Sequence, residues 1–163
     1  MVLAAQALED AATGGRILMH RFELRVRYGD TDQMGWVYYG NYLRWFEIGR
    51  AEMMRVLGVS YRDVEVEHGV LLPVLDARCR YFHGARYDER VTIETGVLDV
   101  GRATLRFGYR IVGEDGARCA LGYTEHCVVN RDAKPVRPPA VLAALLAAAP
   151  RADAELLEMF PRG

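Results

Sequence analysis

The 163-residue chain is poor in three features that would each point to a particular kind of protein. Its longest apolar run, Ala140–Pro150, falls far short of the ~20 residues that a membrane helix needs, which excludes a transmembrane helix. It has only three cysteines, Cys79, Cys119 and Cys127, and no CxxC pair, so neither a disulfide framework nor a Cys-rich zinc site fits. It also has almost no net charge: 21 Lys+Arg against 22 Asp+Glu leaves −1, without the broad basic field of a nucleic-acid binder. Lysine is nearly missing as well, with Lys134 alone among the basic residues. That arginine bias follows from genome composition as readily as from anion binding.

What is present is an ordinary globular composition, 51% hydrophobic and 26% charged, in a length that suits one domain. The acidic pair Glu9–Asp10 stands where a signal peptide would want a basic start. Residues 1–18 therefore read as a flexible leader on a cytoplasmic protein, residues 19–150 as the domain, and residues 151–163 as a tail.

Period-two alternation marks a half-buried strand from His20 to Tyr28, with Phe22, Leu24 and Val26 on one face and arginines on the other. A polar loop, Gly29 to Gly35, leads into one long helix over Tyr39–Leu57. Its apolar stripe (Tyr39, Tyr42, Leu43, Phe46, Met53, Leu57) includes Gly49, where close backbone approach is expected, and Gly58 suits its end. A short helical segment near Tyr61–His68 precedes four strands that run to about Val129. Glu114-Asp115-Gly116 reads as a hairpin turn, and an Ala/Leu-rich helix follows near Ala140–Ala149. Consecutive strands joined by short turns are antiparallel, and the long helix is the only element large enough to cover their inner face. The fold class is α+β, a five-stranded antiparallel sheet wrapped around a long central helix.

The chemistry concentrates between Tyr28 and Arg50, where Asp30 and Asp32 lie just ahead of the N-terminus of the buried helix. Free N–H groups at a helix start can hold oxygen on which negative charge develops, and a carboxylate beside them suits acyl transfer. On spacing alone both aspartates also serve as turn and cap residues. A calcium loop fails, because Met34 and Asn41 stand where oxygen ligands are required. A phosphate-binding glycine loop fails for want of glycines and of a Gly-Lys-Ser/Thr ending. His20, His68, His83 and His126 are dispersed with no i, i+4 pair, so no metal site is expected. Glu47, with Arg44 and Arg50 three residues to either side, reads as an ion-pair partner.

This stretch, with Tyr81-Phe-His-Gly-Ala-Arg-Tyr-Asp88 and Asn130-Arg-Asp-Ala-Lys-Pro-Val-Arg-Pro-Pro139, resembles the signature of the hotdog-fold acyl-coenzyme A thioesterases of the 4-hydroxybenzoyl-coenzyme A thioesterase family. The resemblance covers roughly Arg21–Leu145. It implies that Asp32 is the catalytic carboxylate, that the Tyr39 main-chain N–H holds the thioester carbonyl oxygen, and that Tyr28 lines the acyl site. Asp30 falls on a position expected to be structural. No metal or redox cofactor is implied, because coenzyme A belongs to the substrate and its phosphates are expected to meet surface arginines. Edge-to-edge homodimers, with dimer-of-dimers tetramers, are implied as the assembly, and no nucleic acid as a partner. Relatives associated with the Tol–Pal system commonly carry His at the position of Tyr39, which aligns this chain with the 4-hydroxybenzoyl branch. Gly84 stands where many relatives have Pro. The alternative in another class is a non-catalytic acyl-coenzyme A sensor.

Overall fold

A computed structural model describes residues 19–162 of the chain, so the leader expected over residues 1–18 lies outside the described residues. The strands are β1 (His20–Arg25), β2 (Val70–Leu71), β3 (Val74–Tyr81), β4 (Arg90–Val100), β5 (Thr104–Gly113), β6 (Arg118–Cys127) and β7 (Val129–Asn130). The helices are α1 (Asn41–Val56), α2 (Tyr61–His68), α3 (Ala140–Ala148) and α4 (Ala154–Met159). Five strands form one antiparallel sheet in the order β1-β4-β5-β6-β3, and β2 pairs with β7 apart from it. This is the architecture the alternation and strand order predict.

Helix α1 lies against the inner face of the sheet, and small residues on both sides set how closely it approaches. A Cβ at Gly49 would fall 2.6 Å from both Ile93 Cγ2 and Thr95 Oγ1 on β4, and one at Gly122 would fall 2.5 Å from the Phe46 ring. The absence of side chains there lets Phe46 lie flat on Tyr109, with ring centroids 4.4 Å apart and planes inclined by 7°. Met53, Met54, Val64, Ile93, Leu105, Phe107, Ile111 and Leu142 complete this core. Helix α2 starts in a reciprocal cap: Ser60 Oγ accepts the Asp63 N–H while the Asp63 carboxylate accepts the Ser60 N–H.

Three differences from the sequence reading have local causes. Strand β1 ends at Arg25, because Tyr28–Asp30 close into a 3-10 turn in which Asp30 Oδ2 accepts the Arg27 N–H at 2.9 Å. Glu47 has no ion-pair partner among the described residues; it is exposed, while Arg50 turns inward to the hydroxyls of Tyr61, Tyr109 and Thr124. Residues 151–162 are more than a tail. Ala152, Leu156 and Phe160 pack on Leu98, Leu121 and Tyr123 to form a second core on the outer face of the sheet. Arg110 pins this segment, donating to Glu94 at 2.8 Å, Asp153 at 2.5 Å and Glu155 at 2.8 Å.

Candidate active site

The loop carrying the two aspartates is built from main-chain bonds. An isolated bridge pairs Thr31 with Val37, and inside it the Asp32 N–H donates to the Trp36 carbonyl at 2.8 Å. The Gly35 N–H returns to the Asp32 carbonyl at 3.0 Å, a turn that needs the positive φ of +77° at Gly35. Asp32 is half-buried. Its Oδ1 accepts the Met34 N–H at 2.8 Å, while Oδ2 has no donor among the described residues. The carboxylate is thus held by one oxygen and open at the other.

The same loop is tied to the start of α1. The Asp30 carbonyl accepts the Tyr38 N–H at 2.9 Å and the Asn41 side-chain amide at 2.8 Å. Asp30 is therefore bound into the loop backbone by its carboxylate and its carbonyl alike, the structural position expected of it. At the helix start the Asn41 N–H donates to the Tyr38 carbonyl at 2.9 Å. The N–H groups of Tyr39 and Gly40 have no acceptor among the described residues. They lie at the cap of α1 and one residue ahead of it, available to an oxygen that enters from outside.

Beside them opens a cleft of about 210 Å³, lined by Val37, Tyr39, Tyr42, Tyr81, Phe82, His83 and Gly84. The Tyr81 hydroxyl reaches across from the end of β3 and donates to the Tyr39 carbonyl at 3.0 Å. Burial pushes the hydroxyls of Tyr81 and Tyr42 above the ordinary tyrosine range. On the outer side Arg86 lies over the Trp36 ring, 3.6 Å from its centroid. Trp36 also rests on Gly84, where a Cβ would fall 2.6 Å from the ring, so a glycine here gives the indole its seat.

Of the three residues singled out in the sequence, Tyr39 lines the cleft, whereas Asp32 and Tyr28 do not. Tyr28 is 81% exposed and meets the Tyr87 ring edge-on at 5.7 Å. Sequence reasoning missed Tyr81, Tyr42 and Phe82 as cleft residues. The signal available was the aromatic pair Tyr81-Phe82 immediately before His83-Gly84, at the end of an alternating strand. Among the described residues, no three His, Cys, Asp or Glu side chains gather as metal ligands would. No helix among them is long and apolar enough to cross a membrane.

Known proteins share this frame. The model of the thioesterase-like superfamily matches residues 26–146. YneP of Bacillus subtilis, named for acyl-CoA thioesterase activity, is 36% identical over 116 residues, which span 71% of this chain and 83% of its own. The acyl-CoA thioester hydrolase YbgC of Escherichia coli O6:H1 is 30% identical over 129 residues, spanning 79% of this chain and 94% of its own. The crystal structure of DHNA-CoA thioesterase from Staphylococcus aureus superposes with a TM-score of 0.68 at 36% identity, covering 72% of this chain and 78% of that one. The chain belongs to the thioesterase-like superfamily and is built on the hotdog fold.

Proposed function

We propose that the protein hydrolyses acyl-coenzyme A thioesters to a carboxylic acid and free coenzyme A, with Asp32 as its catalytic carboxylate and no metal or redox cofactor. The observation that carries this reading is the pairing of a carboxylate open at one oxygen with uncommitted N–H groups on the next turn of the same loop. Its relatives' names, acyl-CoA thioesterase and thioester hydrolase, supply the substrate class.

In this reading the thioester carbonyl oxygen rests on the Tyr39 N–H, which strengthens its hold as negative charge builds on that oxygen. A donor so placed is worth about 2.7–4 kcal/mol in the transition state. Asp32 either takes a proton from water as the water oxygen bonds to the carbonyl carbon, or attacks that carbon itself to give an anhydride that water then opens. In both routes the C–S bond breaks with its electron pair on sulfur, and the thiolate leaves as a good leaving group. Label found in the Asp32 carboxylate after a single turnover in oxygen-labelled water marks the second route, with water opening the anhydride at the Asp32 carbonyl.

The site is completed by a second copy of the chain. Strand β3 pairs only with β6 among the described strands and leaves its other edge open, with Val74 55% and Leu75 59% exposed. Pairing two such edges would bring the partner against the open side of the cleft. Tyr28, 81% exposed and absent from the cleft lining in its own chain, keeps in this reading its place beside the acyl group. Thiol release from a panel of aromatic, short and long aliphatic acyl-coenzyme A substrates tests the reading. Turnover of at least one class supports it; binding with no thiol release from any would replace it with a sensor.

A further inference from the structure

Asn41, the first residue of α1, bonds to both halves of the candidate site. Its side-chain Nδ2 donates to the Asp30 carbonyl at 2.8 Å, and its main-chain N–H donates to the Tyr38 carbonyl at 2.9 Å. The first bond holds the chain just before Asp32. The second fixes the peptide plane between Tyr38 and Tyr39, and with it the direction of the Tyr39 N–H, since C=O and N–H point opposite ways across a trans peptide.

A polar residue at a helix start ordinarily caps its own helix. Asn41 does not: the cap position is Gly40, which makes no side-chain cap bond, and the Asn41 amide reaches a carbonyl eleven residues earlier. The loop also has other supports. The Arg27–Asp30 turn, the Thr31–Val37 bridge and the bond from the Val37 N–H to the Ala85 carbonyl, at 2.9 Å, all stand without the Asn41 side chain. The bond it adds is the only side-chain bond among the described residues that joins the Asp30–Asp32 stretch to α1.

We propose that Asn41 is a positioning residue for the thioesterase reaction: its side-chain amide sets the spacing between the Asp32 carboxylate and the Tyr39 N–H. This inference rests on the reading in which those two groups act on the thioester. Losing the tie leaves a folded protein whose carboxylate and carbonyl-holding donor drift relative to each other. That loss falls on the chemical step more than on binding, because a misplacement of about 1 Å can cost on the order of 100-fold in rate.

The test compares Asn41→Leu, which keeps the approximate size but cannot donate, with Asn41→Gln, which keeps the amide. For Asn41→Leu, kcat is expected to fall about 10- to 100-fold while KM stays within about threefold. Asn41→Gln is expected to recover part of that loss, and thermal unfolding of both to stay near the parent. If Asn41→Leu does not fold, Asn41→Asp carries the same test, since it keeps the shape and removes the donor. A folded donor-less variant with kcat within about twofold of the parent overturns the proposal, as do equal losses in the Leu and Gln variants. Asp32→Asn in the same assay separates the levels: if it retains turnover, the reading of the site has failed. If it is inactive while Asn41→Leu is active, only the role of Asn41 has failed.

Discussion

Arg50 donates through Nη1 to the Tyr109 hydroxyl at 2.9 Å, in the middle of the core and with no carboxylate bonded to it among the described residues. The guanidinium joins three elements, because besides Tyr109 on β5 its Nη1 reaches Thr124 on β6 at 3.3 Å while its Nε donates to Tyr61 on α2. Tyr61 and Phe107 present their ring faces to the charge, with centroids 5.4 and 5.8 Å away. Hydroxyl oxygens and aromatic faces thus take the place of a counter-ion. Desolvation opposes this charge, but the surrounding hydroxyls outweigh it and raise the Arg50 pKa above its ordinary value.

A lysine cannot reproduce that arrangement, since a single ammonium cannot serve Tyr61 on one side and Tyr109 on the other. Arg50→Lys is therefore expected to destabilise the protein by about 1–3 kcal/mol. Urea unfolding checks this as a lower midpoint with an unchanged slope.

The same cation shapes the acid response. His126 is wholly buried, with Nδ1 3.0 Å from the Leu72 carbonyl and Nε2 2.8 Å from Thr124 Oγ1, and its ring edge-on to Phe107. Burial first, then the Arg50 charge, push its pKa from 6.5 down to about 4. The unfolded chain therefore takes up a proton near pH 6.5 that the folded chain refuses until about pH 4. The stability this neutral ring contributes is whole above pH 6.5 and is lost as pH falls through that window to about 4. The loss amounts to about 3 kcal/mol at the acid end. Unfolding free energies measured between pH 7 and pH 4 should fall less steeply in His126→Gln; parallel curves would contradict the assignment.

On the outer face, Arg110 faces three carboxylates at once, and its removal leaves Glu94, Asp153 and Glu155 to repel one another. Arg110→Met is expected to cost about 2–4 kcal/mol. It should also speed hydrogen exchange of the α4 amides over Ala154–Met159 before that of the central strands.

Helix α4 shows where sequence reading reaches its limit. Ala152, Leu156 and Phe160 are spaced by four, but the helix is only six residues long, and acidic Asp153 and Glu155 lie among them. Too few turns exist for periodicity to register, and its partners Leu98, Leu121 and Tyr123 sit inside ordinary strand patterns. Arg50 was hidden for a related reason. Its neighbours in sequence suggest a pair with Glu47, whereas its fate is decided by Tyr61 and Tyr109, which only the fold brings near. By contrast β1 and α1, with their cleanly repeating apolar positions, were legible from periodicity, and α2 showed itself in outline. At the site, the loop and the helix start could be read from turn and cap residues. The roles proposed for Asp32, Tyr39 and Tyr28 rest on resemblance, and Tyr81 needed the register that sets it opposite Ala120.

Gly84 tests the link between packing and activity. A methyl group there would press on Trp36, whose carbonyl holds the Asp32 N–H. Gly84→Ala is expected to cost about 1–3 kcal/mol in stability. It should also lower kcat by several-fold through the displaced loop, with the change in Trp36 environment visible in its fluorescence.

The most direct measurement is acyl-coenzyme A turnover by Asp32→Asn, read as thiol release beside a check of its folding by circular dichroism and thermal unfolding. The substitution keeps the shape that accepts the Met34 N–H and removes the charge. Asp32→Asn is expected to fold, to bind acyl-coenzyme A still and to lose about 1,000-fold or more in kcat. A folded Asp32→Asn with turnover within about twofold of the parent would contradict it.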